Sequence, residues 1–345
     1  MSLFKSDHFD DLLTGPNIAA IVMRQPLKPV EGSDAIIYPP TFADVGYNID
    51  TLGDEKEGKN VCVIDSVGSQ ANRMEPLFKQ KPYSDLVPKI QIRVKTKETE
   101  QMVHLFDAGH RIADAVVRCS ELLGDIKEAF LNVKSGNYES LARLAPTSLV
   151  FGVWDSRGTY VKLPRVVRST IRALNVRELT RSATFFPAIN YGDIGIGGGD
   201  GDRKASTEGL AGALDSKAPG GVLLCDDSLV IREAVLSLSA LRAIRAESDD
   251  ATLTIRRYIL GLSLVMFTAP QEALLRMGCE LTADLNNPAT WEQVACSGER
   301  ESFELNHNDA LEFAKATTKD FGIAKDRVVD FDAKKAGDSL KKKKK

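Results

Sequence analysis

Residues 154–181 read WDSRGTYVKLPRVVRSTIRALNVRELTR and gather Arg157, Lys162, Arg165, Arg168, Arg172, Arg177 and Arg181 against only Asp155 and Glu178. Guanidinium forks match phosphate oxygens bidentately, and like charges held side by side repel unless an anion lies against them. Pro164 suits the first turn of a helix, and helical spacing then sets Arg165, Arg168 and Arg172 on one face with Val167, Ile171 and Leu174 opposite. Such a row has the chemistry of a polyanion site, for which a nucleic-acid backbone is the natural ligand. A solvated face paired with carboxylates elsewhere fits the same spacing equally well. Trp154, Tyr160, Phe185, Phe186 and Tyr191 flank the arginines, either as platforms for bases or as ordinary core residues.

A second polar group, DSVGSQANRMEP at residues 65–76, offers Ser66, Ser69, Gln70, Asn72 and Arg73 directly after the apolar VCVI run. Short donors at a helix N-terminus can hold phosphate or 2′-hydroxyl groups without reading bases, although a cap followed by an exposed helix needs no ligand at all. His104 and His110 fall close together but have no third ligand at metal spacing, so no metal is expected. Histidine can deprotonate a 2′-hydroxyl; His110 lacks an evident partner for that work and reads as a surface or contact residue. The glycine stretch 192–201 has neither the Lys-Ser/Thr ending of a phosphate loop nor a strand-to-helix setting, which argues for flexibility rather than nucleotide binding. No cofactor is implied.

The elements that would position these groups follow from apolar spacing. Residues 17–24 and 61–64 are short apolar runs that read as buried strands, and Asp65 or Ser66 caps a helix ending near Pro76. Residues 89–95 alternate strictly, with Ile90, Ile92 and Val94 against Lys89, Gln91, Arg93 and Lys95. Residues 99–123 carry apolar side chains at helical intervals and predict an amphipathic helix. Residues 148–154 read as a strand, residues 228–246 and 309–321 as helices, and residues 253–268 as either. Residues 27–60 look like an irregular insertion, and residues 191–221 lack the apolar content for a core of their own. The pattern is α+β, a single domain over residues 1–330 with insertions at about 27–60 and 186–221.

With 345 residues and 43% hydrophobic composition the chain can build a sizeable core. The net charge of −3 is uneven, because Lys334, Lys335 and Lys341 to Lys345 against Asp338 make residues 331–345 a lysine-rich, solvated tail and leave the body more acidic. No apolar run spans a bilayer, and the acidic start with Asp7, Asp10 and Asp11 is unlike a secretion signal, so a cytoplasmic protein is expected. The five cysteines are odd in number and widely spaced, which fits reduced thiols rather than disulfides or zinc.

Residues 65–76 (DSVGSQANRMEP), 105–118 (LFDAGHRIADAVVR), 146–176 (PTSLVFGVWDSRGTYVKLPRVVRSTIRALNV) and 252–262 (TLTIRRYILGL) together resemble the backbone subunit of type I CRISPR surveillance complexes, in the subtype I-G (formerly I-U) branch of the Cas-seven group of the RAMP superfamily. The resemblance implies a modified ferredoxin-like (RNA-recognition-motif) palm with long insertions and no catalysis. It implies copies assembled head to tail along a crRNA, pairing of target DNA through that guide, and partnership with other Cascade subunits and the helicase-nuclease. It also implies a thumb, supplied by residues 186–221 or 27–60. Carried onto this chain, the guide contacts are Ser66, Ser69, Gln70, Asn72, Arg73, Arg157, Lys162, Arg165, Arg168 and Arg172, with His110 and Arg111 added. Two rival readings are an endoribonuclease of the same superfamily, in which His110 or the acids Asp193, Asp200 and Asp202 act, and a monomeric single-strand RNA-binding module.

Overall fold

A computed structural model describes residues 6–53, 58–196, 203–302 and 304–341. Helix α1 (Ser6–Thr14) precedes β1 (Ile18–Pro29), in which Ile21 and Met23 are buried and Val22 and Arg24 point the other way. Four short strands follow: β2 (Ile36–Ile37), β3 (Thr41–Phe42), β4 (Gly46–Tyr47) and β5 (Ile49–Thr51). The expected irregular insertion is therefore a set of small pairings laid along the main sheet, β2 on its longest strand and β5 on β6. Of the charged stretch within it, residues 54–57 lie outside the described residues.

Strand β6 (Asn60–Asp65) buries Cys62 and Ile64 and runs straight into α2 (Val67–Met74), which ends ahead of Pro76 as the sequence requires. The alternating segment is β7 (Ile90–Lys95), paired antiparallel with β8 (Glu100–His104). The helix expected over residues 99–123 is absent. Residues 100–104 pair with β7, Gly109 interrupts two short 3₁₀ turns at Leu105–Asp107 and Arg111–Ala113, and only α3 (Ala115–Arg118) is α-helical. Helices α4 (Leu123–Lys134), α5 (Glu139–Leu144) and α6 (Thr147–Val150) come next; the segment expected as a strand over 148–154 is thus helical first, with only β9 (Val153–Trp154) extended.

Strand β9 pairs with β10 (Lys162–Leu163), and the chain enters β11 (Val167–Phe185). The helix expected after Pro164 is a strand, because Val167, Ser169, Ile171 and Ala173 form a buried row at period two and the segment pairs on both sides. Beyond α7 (Arg203–Thr207), β12 (Ala213–Ser237) returns antiparallel to β11, so residues 213–221 of the glycine-rich region are strand rather than loop. Residues 197–202, including Asp200 and Asp202, lie outside the described residues. The helix expected over 228–246 is mostly this strand, followed by α8 (Leu238–Arg242).

Helix α9 (Asp249–Thr268) settles the helix-or-strand ambiguity. Ser248 caps it by accepting from the Ala251 backbone N–H, Asp249 and Asp250 sit in its first turn, and its C-terminal half is buried nearly all round. Then follow β13 (Leu274–Arg276), β14 (Cys279–Ala283), β15 (Thr290–Ala295), β16 (Arg300–Ser302), α10 (His307–Phe321), β17 (Arg327–Asp330) and α11 (Ala333–Lys341). The lysine-rich tail begins as this helix, and residues 342–345 lie outside the described residues.

The chain is α+β. Its main sheet runs β14-β1-β12-β11-β6-β5, with β15 also pairing β1. Pairings β1–β12, β11–β12, β1–β15 and β6–β11 are all antiparallel. The larger apolar core lies on the inner face and includes Leu13, Ile21, Met23, Phe130, Val167, Leu236, Tyr258 and Phe267. Each such side chain contributes roughly 1.5–3 kcal/mol by leaving water. Gly261 allows α10 to approach α9, since a Cβ there would stand 2.9 Å from Cα of Ala314.

Candidate nucleic-acid interface

Because successive strand side chains alternate, Arg168, Thr170 and Arg172 of β11 project away from the buried row. The register sets Glu233 of β12 opposite Thr170 and opposite Arg24 of β1, so these five share the outer sheet face. Glu233 takes ion pairs from both Arg172 (3.1 Å) and Arg24 (3.5 Å). Arg168 is exposed and, among the described residues, has no carboxylate within 4 Å. The three arginines expected on one helix are therefore divided. Arg168 and Arg172 stand four residues apart on a strand, about 13 Å at the usual rise, and Arg165 precedes the strand.

Arg165 belongs to a second cationic group built on the β9–β10 hairpin. Arg157 sits in its exposed turn, and Lys162 lies over the Trp154 ring at 5.3 Å. Asp155 organises that turn, accepting from the Thr159 backbone at 2.5 Å and its hydroxyl at 2.9 Å. Gly152 is needed at the hairpin base: φ is +74°, and a Cβ would lie 2.9 Å from the Leu163 carbonyl and 3.0 Å from the Arg165 side chain. Partial burial, and then the neighbouring Arg111, push the Arg165 guanidinium below its ordinary value. Arg157, Lys162 and Arg165 also have no carboxylate within 4 Å among the described residues.

The aromatic residues between and beyond these cations are not core. Trp154 is 57% exposed, Tyr160 74% and Phe186 79%, and Phe185 is also exposed; Tyr191 is half-buried.

Three of the expected contact residues occupy interior or engaged positions. Gln70 is buried, its amide N–H donating to Asp65 (2.6 Å) and its carbonyl accepting from the Ser169 hydroxyl (2.8 Å). It is a tie between α2 and the sheet, and both ends of the amide are used. Arg111 is buried beneath the hairpin, with its Nε 2.7 Å from Glu75, its guanidinium 5.4 Å from the Phe151 ring and its backbone at φ +52°. Burial raises the Glu75 carboxyl to about 7 against the opposing pull of Arg111. Arg73 pairs with buried Asp65 (3.1 Å) and donates to the Leu275 carbonyl (2.5 Å), so it braces α2 against β13.

The other α2 residues remain at the surface. Ser66 is the exposed N-cap, accepting from the Ser69 backbone at 3.3 Å, and Asn72 is exposed. Since Asp65 pairs with Ile171, the start of α2 lies beside the strand segment that carries Arg168 and Arg172. His110 is exposed, with Nδ1 3.4 Å from Asp114, whereas His104 is buried and accepts from the Phe106 backbone (3.2 Å). The two histidines do not share a helix. Arg24 was not among the expected contacts; the in-out alternation of Ile21, Val22, Met23 and Arg24 marks it, but a reading of residues 17–24 as wholly buried hides it.

Among the described residues no group of three His, Cys, Asp or Glu side chains is arranged to hold a metal ion, and no helix is long and apolar enough to cross a membrane.

The fold and site together define an antiparallel-sheet protein with an open cationic face and an adjoining cationic hairpin. Residues 21–178 match the family model described as CRISPR-associated protein GSU0053, a stretch that contains both cationic groups and α2. Over this stretch, which is a little under half of the chain, the sequence is similar to that CRISPR-associated family. Comparison with curated proteins gives no match.

Proposed function

We propose that the chain is a non-catalytic, cytoplasmic crRNA-binding backbone subunit of a type I Cascade, of the Cas-seven group in the RAMP superfamily and of the I-G branch. The observation that carries this reading is the set of exposed cations with no carboxylate partner among the described residues, Arg157, Lys162, Arg165 and Arg168, beside exposed Trp154 and Tyr160. A cationic face that only meets water is normally laced with acidic partners, as Arg172 and Arg24 are with Glu233. Unpaired guanidinium groups next to open rings suit a phosphate spine with bases stacked beside it.

The topology supports a ferredoxin-like palm. Strands β15-β1-β12-β11 run antiparallel in that order, β11 and β12 form the central hairpin, and α9 occupies the connection from β12 to β15. The arm of β11 and β12 beyond the sheet exposes Phe185, Phe186, Ile189 and Leu214 and suits the thumb. Copies joined head to tail by an interface that does not close form a filament, and each copy leaves base edges free for target DNA.

The test is co-expression with a CRISPR array. Purified protein should carry RNA in assemblies whose mass rises with guide length, measured by native mass spectrometry. Protein that emerges free of RNA and monomeric refutes the proposal, and cleavage of repeat RNA abolished by His110→Ala favours the endoribonuclease instead.

A further inference from the structure

The inner face of the sheet holds a positive charge that the RNA-binding reading does not use. Arg232 of β12 is 4% exposed. It stands between Gln25 of β1 and Ile171 of β11 in the strand register. Its Nε donates to the Ser169 hydroxyl at 3.1 Å and its Nη1 to the Gln25 side-chain carbonyl at 3.5 Å, while Nη2 has no acceptor among the described residues. Among the described residues no carboxylate lies within 4 Å of it. Burial lowers its guanidinium only to about 10, so it is charged at neutral pH.

A buried, uncompensated guanidinium is costly, and folding normally supplies an acid or an apolar substitute. Here it instead lines a cavity of about 360 Å³. Met23, Leu27, Ile171, Phe267, Leu281 and Trp291 supply apolar walls, and Gln25 and Gln70 supply amides beside the cation. Glu272 at the exposed rim is the acid among the lining residues, and it makes no ion pair with Arg232. The volume falls in the range of small-molecule sites, which combine apolar walls with a few convergent polar groups.

We propose that this cavity binds a small organic carboxylate with a compact apolar body, its carboxylate on the Arg232 guanidinium and its body against Phe267 and Trp291. A singly charged planar carboxylate matches the guanidinium fork, whereas a phosphate dianion would lose far more hydration among these walls. The site is separate from the RNA face, because Arg232 belongs to the inner row and Arg168 to the outer one.

Benzoate serves as the probe and benzamide as its neutral counterpart, with binding read by thermal unfolding and isothermal titration on the full chain. Benzoate should raise Tm in a concentration-dependent way and bind at least about tenfold more tightly than benzamide, the ratio expected for one charge-assisted hydrogen bond. Arg232→Met should weaken benzoate by a similar factor while leaving RNA binding and its salt dependence unchanged. Equal affinity for the two probes, no benzoate binding, or undiminished binding by Arg232→Met overturns the proposal. Should that variant fail to fold, the comparison of the two probes on the unmodified protein still decides. Because RNA binding is measured separately, either reading can fail while the other stands.

Discussion

The clearest quantitative consequence concerns Arg157 and Arg168, two exposed cations from the two halves of the interface, neither with an ion partner to lose among the described residues. Replacing both by alanine removes only the charge each offers to solvent or ligand, so stability should change by less than about 0.5 kcal/mol, as for surface sites in general. If each neutralises one phosphate of single-stranded RNA, each contributes about 0.7 to the slope of log K against log salt. The double variant should then lose about 1.4 from that slope, which amounts to roughly tenfold weaker binding near physiological salt. Arg172→Ala is the internal control: its guanidinium is already paired with Glu233 at 3.1 Å, so it should lower the slope by less than Arg168→Ala. Fluorescence anisotropy on an oligonucleotide of about 10 nucleotides, short enough to restrict filament growth, measured between about 50 and 400 mM salt, gives both quantities. An unchanged slope in the double variant, with circular dichroism showing an intact fold, refutes the assignment of these arginines to the RNA face.

Gln70→Leu breaks the buried tie to Asp65 and Ser169 and should cost about 1–3 kcal/mol by urea unfolding. Its RNA salt slope should match that of the unaltered protein, since the side chain does not reach the surface. Glu75 is protonated more readily folded than unfolded, having risen from the ordinary 4.5 to about 7. Its contribution to stability is therefore fully present below about 4.5 and is lost as pH rises through about 7. Glu75→Gln should remove that part of the pH dependence, which chemical unfolding at several pH values across this window would detect. Gly261→Ala should destabilise the α9–α10 contact by about 1–3 kcal/mol through overpacking against Ala314 and Thr317, read as a lower Tm.

How much was legible in advance varied with how local each signal was. Residues 65–76 carry their own instructions, with Ser66 as cap and Pro76 as stop, and α2 follows them. The strict alternation of residues 90–95 likewise yields β7, and residues 309–321, read as a helix, fall within α10. Residues 165–174 carry two periodicities at once. Arg165, Arg168 and Arg172 fit a helix, while Val167, Ser169, Ile171 and Ala173 fit a strand, and only the partners β6 and β12 decide between them. The same non-local pairing overrode the helical spacing of residues 99–104 and 228–237.

The amino-acid sequence by itself determined the mixed class, the concentration of positive charge in residues 154–181 and the polar group that follows β6, because composition and short-range capping are properties of the chain alone. Tertiary structure decided which charged and polar groups are free. Burial under the β9–β10 hairpin takes Arg111, the tie to Ser169 takes Gln70, and sheet pairing turns Arg168 outward and Arg232 inward. A side chain's partners come from segments far along the chain, and no local spacing encodes which of them will be near enough to neutralise it.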